Sequence, residues 1–205
     1  MFWYHQDLER LEREIESLEY EPKLVFYGSS TFTLWDEIDT VFKEHNPLNL
    51  GFGGSTLAAC TWYFERVFKS INKIDSIIIY AGDNDLGDGR HPEEVVLFME
   101  NLLLKIRKKY KNVKVTCVSI KPSIARRSLQ ESIHYTNACM KALMFKDENF
   151  FYVNIFKTLL DEYGNPDEKY FLEDGLHFNS EGYAVLLKAL KSRPELFPTK
   201  ILQEI

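Results

Sequence analysis

The sequence predicts an α/β fold, three layers α/β/α deep, with a five-stranded parallel sheet between two sets of helices. Three observations predict it. Five short apolar runs alternate with longer stretches of helical periodicity, the order that a parallel sheet with right-handed crossovers requires. One of these runs, in "DSIIIYAG", is apolar and largely β-branched without interruption, as a strand covered on both faces would be. Small or polar residues follow each run, and ligands in such sheets sit outside the carboxyl ends of the strands. With 205 residues, 45% of them hydrophobic, the chain suffices for one core and a single domain over residues 1–205.

Each element has its own signal. Leu8, Leu11, Ile15 and Leu18 recur at three and four residues, so residues 1–20 hold an amphipathic helix with Glu and Arg on its other face. "KLVFY" is the first strand, and "TFTLWDEIDTVFKEH" has a helical pattern. "PLNLGFGG" is a short strand running into a glycine turn, followed by a helix in "STLAACTWYFERVFKSI" and the third strand in "DSIIIYAG". "HPEEVVLFMENLLLKIRKKY" carries signals at both ends: Pro92, Glu93 and Glu94 suit the first turn, and Lys105, Arg107, Lys108 and Lys109 the last. Its apolar face is Val95, Met99, Leu102, Leu103, Ile106 and Tyr110. "VKVTCVSI" is the fourth strand, a helix spans residues 128–145, "FFYVNI" is the fifth strand, and "NSEGYAVLLKALK" is the final helix. There is no internal repeat or linker.

Composition narrows the partners. A net charge of −6 argues against nucleic acid or an anionic membrane, which call for a basic face. No stretch reaches the roughly 18 apolar residues of a membrane span, so no stable membrane insertion is expected. The N-terminal stretch is acidic and periodic rather than basic then apolar, unlike a signal peptide. Cys60, Cys117 and Cys139 are odd in number and far apart, which fits reduced thiols in a cytoplasmic protein better than a disulfide frame or a zinc site. The N-terminal helix, with Trp3 and Tyr4 beside it, either covers the sheet or packs on a second copy as a homodimer. Its seam of about two heptads is short for a coiled coil, so packing on its own domain is expected.

The strand ends carry the chemistry. They read Gly28-Ser29-Ser30, Gly51-Phe52-Gly53-Gly54-Ser55, Gly82-Asp83-Asn84-Asp85, Lys121-Pro122-Ser123 and, further on, "LEDGLHFN". Singly, each has an ordinary reading. Serines cap helices and form turns, Gly53-Gly54 makes a tight turn, Asn84 is a turn former, and His177 is a loop histidine near a carboxylate. Together they match what ester hydrolysis needs: a nucleophile, a base, a carboxylate to orient the base, and donors for the oxyanion. His177 follows Asp174 by three residues, ahead of a helix that Asn179 or Ser180 can cap. A tight turn through Gly175 would let Asp174 hold one imidazole nitrogen while the other faces the site. The N–H groups of Ser30 and Gly54 and the side-chain amide of Asn84 come from three strand ends and could converge on one oxygen.

These blocks resemble the SGNH (GDSL-like) hydrolases, a family of serine esterases and lipases. The family's Gly-Asp-Ser is matched by Gly28-Ser29-Ser30, its Asn-x-Gly-x-x-Gly by Asn49, Gly51 and Gly54, its Gly-x-Asn-Asp by "GDND" with Asn84, and its Asp-x-x-His by Asp174 and His177. The blocks occur in family order. The resemblance implies a flavodoxin-like sheet, Ser30 as nucleophile, Asp174 and His177 as its triad partners, and an oxyanion hole of Ser30, Gly54 and Asn84. It implies no cofactor and no metal, and a small-molecule ester as partner: a small ester, an acetylated sugar or a lysophospholipid. Ser29 stands where the family usually has an aspartate that supports the turn, and a hydroxyl is expected to replace it. The chain is similar to a subgroup with Gly-Ser-Ser and "AGDND" blocks, and more distantly to the platelet-activating-factor acetylhydrolase catalytic subunits. Two alternatives are an acyltransferase of the same fold and a non-catalytic binding module.

Other motifs fail or read plainly. The Gly-x-Ser-x-Gly elbow lacks its last glycine, because Phe32 occupies that place. "GFGGST" has no Gly-Lys-Ser/Thr, and "DNDLGDG" lacks the closing glutamate of a calcium loop. Asp83 and Asp85 read as turn and helix-cap groups. In "KPSIARRS", Lys121, Arg126 and Arg127 read as a solvated basic turn, the alternative being cations that meet an anionic group on the substrate or position the loop.

Overall fold

The structure, a computed structural model, describes residues 3–199; the remaining residues of the expected 1–205 domain lie outside them. Five strands, β1 (Leu24–Gly28), β2 (Pro47–Gly51), β3 (Ser76–Tyr80), β4 (Lys114–Val118) and β5 (Phe150–Val153), form one parallel sheet in the order β2-β1-β3-β4-β5. Alternate side chains enter two separate cores. Val25, Tyr27, Ile77, Ile79, Val115 and Cys117 face one. Leu24, Phe26, Ile78, Tyr80 and Val118 face the other. Both faces are therefore covered, which is why the strands read as apolar runs. Each fully buried aliphatic or phenyl side chain contributes about 1.5–3 kcal/mol.

The first core is closed by α1 (His5–Glu16), α4 (Leu57–Val67), α6 (Pro92–Lys109) and α7 (Gln130–Met144). The N-terminal helix packs on its own domain. Leu8 and Leu11 are buried, Arg10 donates to the Gly51 carbonyl at 2.7 Å, and Glu12 pairs with Arg66 at 2.7 Å. The start of α6 is tied by Glu94, whose carboxylate accepts the His91 N–H at 2.8 Å. The second core lies under α8 (Ser180–Lys191), which Asn179 caps by accepting the Gly182 N–H at 3.1 Å.

One element differs from expectation. Residues 31–45 do not form a single helix but α2 (Ser30–Thr33), α3 (Ile38–Val41) and a 3-10 turn at Lys43–His45. Phe32, Trp35, Ile38 and Phe42 are all buried in the second core, and the rings of Phe32, Trp35 and Phe42 all pack on Phe26. The run also contains three threonines and two β-branched aliphatics, which lowers its helical preference. The broken path brings all three of these aromatic rings onto Phe26. A second difference is α5 (Asp83–Gly87), a short helix where turn residues were expected.

All three cysteines are free, Cys60 and Cys117 buried and Cys139 partly so. Among the described residues, no helix is long and apolar enough to cross a membrane, and no group of three or more His, Cys, Asp or Glu is placed to hold a metal ion.

Candidate active site

The sheet order reverses between β1 and β3, since the chain passes from β1 to β2 on one side and resumes with β3 on the other. A crevice at this switch point is where open α/β sheets bind ligands. Ser30 follows β1 and Asn84 follows β3, so both stand at it.

Gly28 makes the exit from β1 feasible. Its φ is 154°, and a Cβ there would lie 1.9 Å from the Tyr80 carbonyl oxygen, so no other residue fits against β3. Ser29 N–H donates to the Tyr80 carbonyl at 2.9 Å, and Ser30 then opens α2. The Ser29 hydroxyl is buried without a hydrogen-bond partner among the described residues. The expected support of the turn by that hydroxyl is therefore corrected: the backbone holds it instead. From α8, Tyr183 donates its hydroxyl to the Thr31 carbonyl at 3.0 Å and fixes the start of α2 from the other side.

The loop before α8 brings the other two groups. Asp174 Oδ1 accepts the N–H of Leu176 at 2.8 Å and of His177 at 2.9 Å, while its Oδ2 lies 2.5 Å from His177 Nδ1. His177 Nε2 is 3.1 Å from Ser30 Oγ. Ser30, His177 and Asp174, far apart in sequence, thus form one continuous hydrogen-bonded chain. The Asp174 carboxyl is pulled down to about 2 by its bond to the His177 imidazole and then by the two loop N–H groups. Asp174 is therefore an acceptor throughout the neutral range. A carboxylate at Nδ1 assigns the proton to that nitrogen and leaves Nε2 as acceptor for the serine hydroxyl.

The donor side is built from two loops braced on each other. Gly54 is exposed with φ 67°, a left-handed conformation that favours glycine. Its loop is tied to β1 by two bonds to the Gly28 carbonyl, from Phe52 N–H and Ser55 Oγ, both 3.0 Å. Asn49 accepts the Gly51 N–H at 3.0 Å and donates to the Phe32 carbonyl at 2.8 Å, joining the same loop to α2. Asn84 donates one amide hydrogen to the Ser55 carbonyl at 3.0 Å, so its side chain is held to the Gly54 loop and keeps one donor. The N–H groups of Ser30 and Gly54 donate to no protein acceptor among the described residues.

Beneath Asn84 lies a charged layer, of which the sequence predicts only turn and helix-capping roles for Asp83 and Asp85. Asp85 is fully buried and caps α4, its carboxylate accepting Leu57 N–H at 2.5 Å and Ala58 N–H at 3.2 Å. Burial pushes its carboxyl up to about 6 against the pull of those two N–H groups. Lys121 is 2% exposed, and its Nζ lies 3.1 Å from both Asp83 Oδ2 and the Tyr80 hydroxyl. Asp83 Oδ1 in turn accepts the Asn84 N–H at 3.0 Å. Burial alone would lower Lys121 and raise Asp83, but their mutual attraction outweighs it, so Lys121 is raised and Asp83 lowered. The solvated reading of Lys121 is thus corrected, and Asp83 is more than a turn former. An acid 38 residues upstream and the Tyr80 hydroxyl explain the burial, and local sequence gives no sign of either pairing. Arg127 is exposed as expected and donates to Asn165 Oδ1 at 2.5 Å.

A model of the GDSL-like Lipase/Acylhydrolase family matches residues 20–185. The chain belongs to this family. Two solved structures are similar in fold. One, from Streptococcus pneumonia and named for platelet activating factor, has a TM-score of 0.83 at 21% identity, covering 92% of this chain and 91% of that one. The other, a GDSL-like lipase from Bacteroides thetaiotaomicron, has a TM-score of 0.76 at 19% identity, covering 94% and 97%. An N-acylneuraminate cytidylyltransferase from Escherichia coli is 27% identical over 187 residues, which is 89% of this chain. This chain spans only 42% of that relative's length.

Proposed function

We propose that this protein hydrolyses a carboxylic ester through an acyl-serine intermediate. The observation that carries the proposal is the unbroken chain from Ser30 Oγ to His177 Nε2 at 3.1 Å and from His177 Nδ1 to Asp174 at 2.5 Å. Ser30 attacks the ester carbonyl while His177 takes its proton, and Asp174 holds the imidazole and stabilises the imidazolium. The carbonyl oxygen becomes an oxyanion that the N–H groups of Ser30 and Gly54 and the remaining Asn84 hydrogen receive. Collapse expels the alcohol with the proton from His177. Water then repeats the sequence, releasing the acid and restoring Ser30.

Asn84→Ala is expected to lower kcat about 10²–10³-fold with little change in KM, the usual loss on removing one oxyanion donor. Steady-state kinetics on a short-chain p-nitrophenyl ester check this, and an unchanged kcat would remove Asn84 from the hole.

The proposed partner is a small-molecule ester: a small ester, an acetylated sugar or a lysophospholipid. The name of the Bacteroides structure, a GDSL-like lipase, favours a lipid ester. The three free cysteines favour a reducing compartment, the cytoplasm. The deciding experiment follows free acid and alcohol released from p-nitrophenyl and acetylated-sugar esters, with and without an added sugar acceptor. Acid equal to alcohol supports hydrolysis. Acyl groups appearing on the acceptor instead would make the protein an acyltransferase, and no turnover would leave a binding module.

A further inference from the structure

The segment after β4 runs between the two loops that carry the triad and Asn84. On one side, Ala125 donates its N–H to the Gly175 carbonyl at 3.0 Å, inside the Asp174–His177 loop. On the other, Arg126 lies against α5, the short helix that carries Asn84. A Cβ built at Gly87 would fall 1.7 Å from Arg126 Nη1 and 2.1 Å from its Cζ. The guanidinium therefore rests directly on the α5 backbone, one turn beyond Asn84, in a cradle that a glycine leaves open.

Among the described residues, this cation has no carboxylate partner, and its Nε is buried without any hydrogen-bond acceptor. Its neighbours in the same segment differ. Lys121 is matched by Asp83, and Arg127 by Asn165. The charge of Arg126 is felt at Asp83, yet Asp83 already has Lys121 at 3.1 Å. A half-buried guanidinium whose Nε lacks an acceptor is unfavourable unless something compensates it. Its planar fork suits two oxygens of a carboxylate or a phosphate. On a chain of net charge −6, an anionic ligand needs such a local cation.

We propose that Arg126, seated on Gly87 beside the triad, binds an acidic group, a carboxylate or a phosphate, carried by the ester substrate. The inference rests on the hydrolase reading above and narrows its substrate class to anionic esters.

The test compares acetyl esters of 3- and 4-hydroxybenzoate with the same compounds as neutral methyl esters, and with acetoxyphenyl phosphates. The readout is the ratio of kcat/KM for charged over neutral substrate in the full chain. Arg126→Gln is expected to lower that ratio about tenfold or more, and Arg126→Lys by less, because lysine keeps the charge but not the fork. Gly87→Ala should also lower it, since the added methyl displaces the guanidinium without removing any charge. The larger ratio, carboxylate or phosphate, names the acid. Arg126→Gln and Gly87→Ala variants that slow both substrates alike, leaving the ratio of the parent, would overturn the inference and make Arg126 a structural residue. Failure of the parent to turn over any ester would instead overturn the hydrolase reading itself.

Discussion

Replacing Ser30 with alanine is expected to lower kcat on a short-chain p-nitrophenyl ester about a million-fold, the loss typical when a triad nucleophile is removed. The fold should persist, because among the described residues the Ser30 side chain makes only the bond to His177, while α2 is held through its backbone and by Tyr183 on Thr31. Ser29 offers no substitute. Its hydroxyl is buried, lacks a partner and is not bonded to the imidazole. His177→Ala should cost a similar factor, and the double variant little more, since triad members act as a unit. Thermal melting close to that of the parent, together with loss of turnover, is the expected pair of results. Activity within tenfold of the parent would mean that the nucleophile lies elsewhere.

The second large effect is on stability. Lys121→Met is expected to destabilise the fold by about 3–5 kcal/mol, because it leaves the Asp83 carboxylate buried without its counter-ion. Pairing it with Asp83→Asn removes the stranded charge and should recover much of the loss. The pH dependence follows from the pair. In the parent, Asp83 is held below the usual carboxylate range, so its contribution is present at neutral pH and fades as the pH falls through that lowered value. In Lys121→Met, uncompensated burial raises Asp83 instead, so the deficit is full at neutral pH and shrinks on acidification. Urea denaturation at pH 7, pH 5 and pH 3 measures both signs, the parent losing stability only at the lowest of the three. A loss under about 1 kcal/mol, or a deficit that grows with acid, would show that the pair is not the buried unit described here. Activity should fall too, since Asp83 holds the Asn84 N–H.

What the sequence made legible is local. The strands could be read because both sheet faces are covered, so "SIIIY" is an unbroken apolar run from Ile77 to Tyr80 and "KVTCV" is apolar at Val115, Cys117 and Val118. The Asp174-to-His177 spacing could be read because the whole motif closes within one turn, through N–H bonds to a single carboxylate. The place between a strand and a helix singled out Ser29 and Ser30 together, and the resemblance of Gly28-Ser29-Ser30 to the family's first block chose Ser30. What stayed hidden depends on distant partners. Lys121 is buried only because of Asp83 and Tyr80, and Asn84 spends a hydrogen on Ser55 from another loop. The interruption of residues 31–45 follows from Phe26 on β1, which draws the rings of Phe32, Trp35 and Phe42 to itself. Periodicity alone cannot register such a demand from another element.

The proposed route requires Ser30 to become covalently acylated during turnover. Reaction of the full chain with a fluorophosphonate, followed by peptide mapping in a mass spectrometer, tests it most directly. A single adduct is expected on the peptide bearing Ser30, absent in Ser30→Ala and formed far more slowly in His177→Ala. An unmodified Ser30, or an adduct on another residue while ester turnover is blocked, would contradict it.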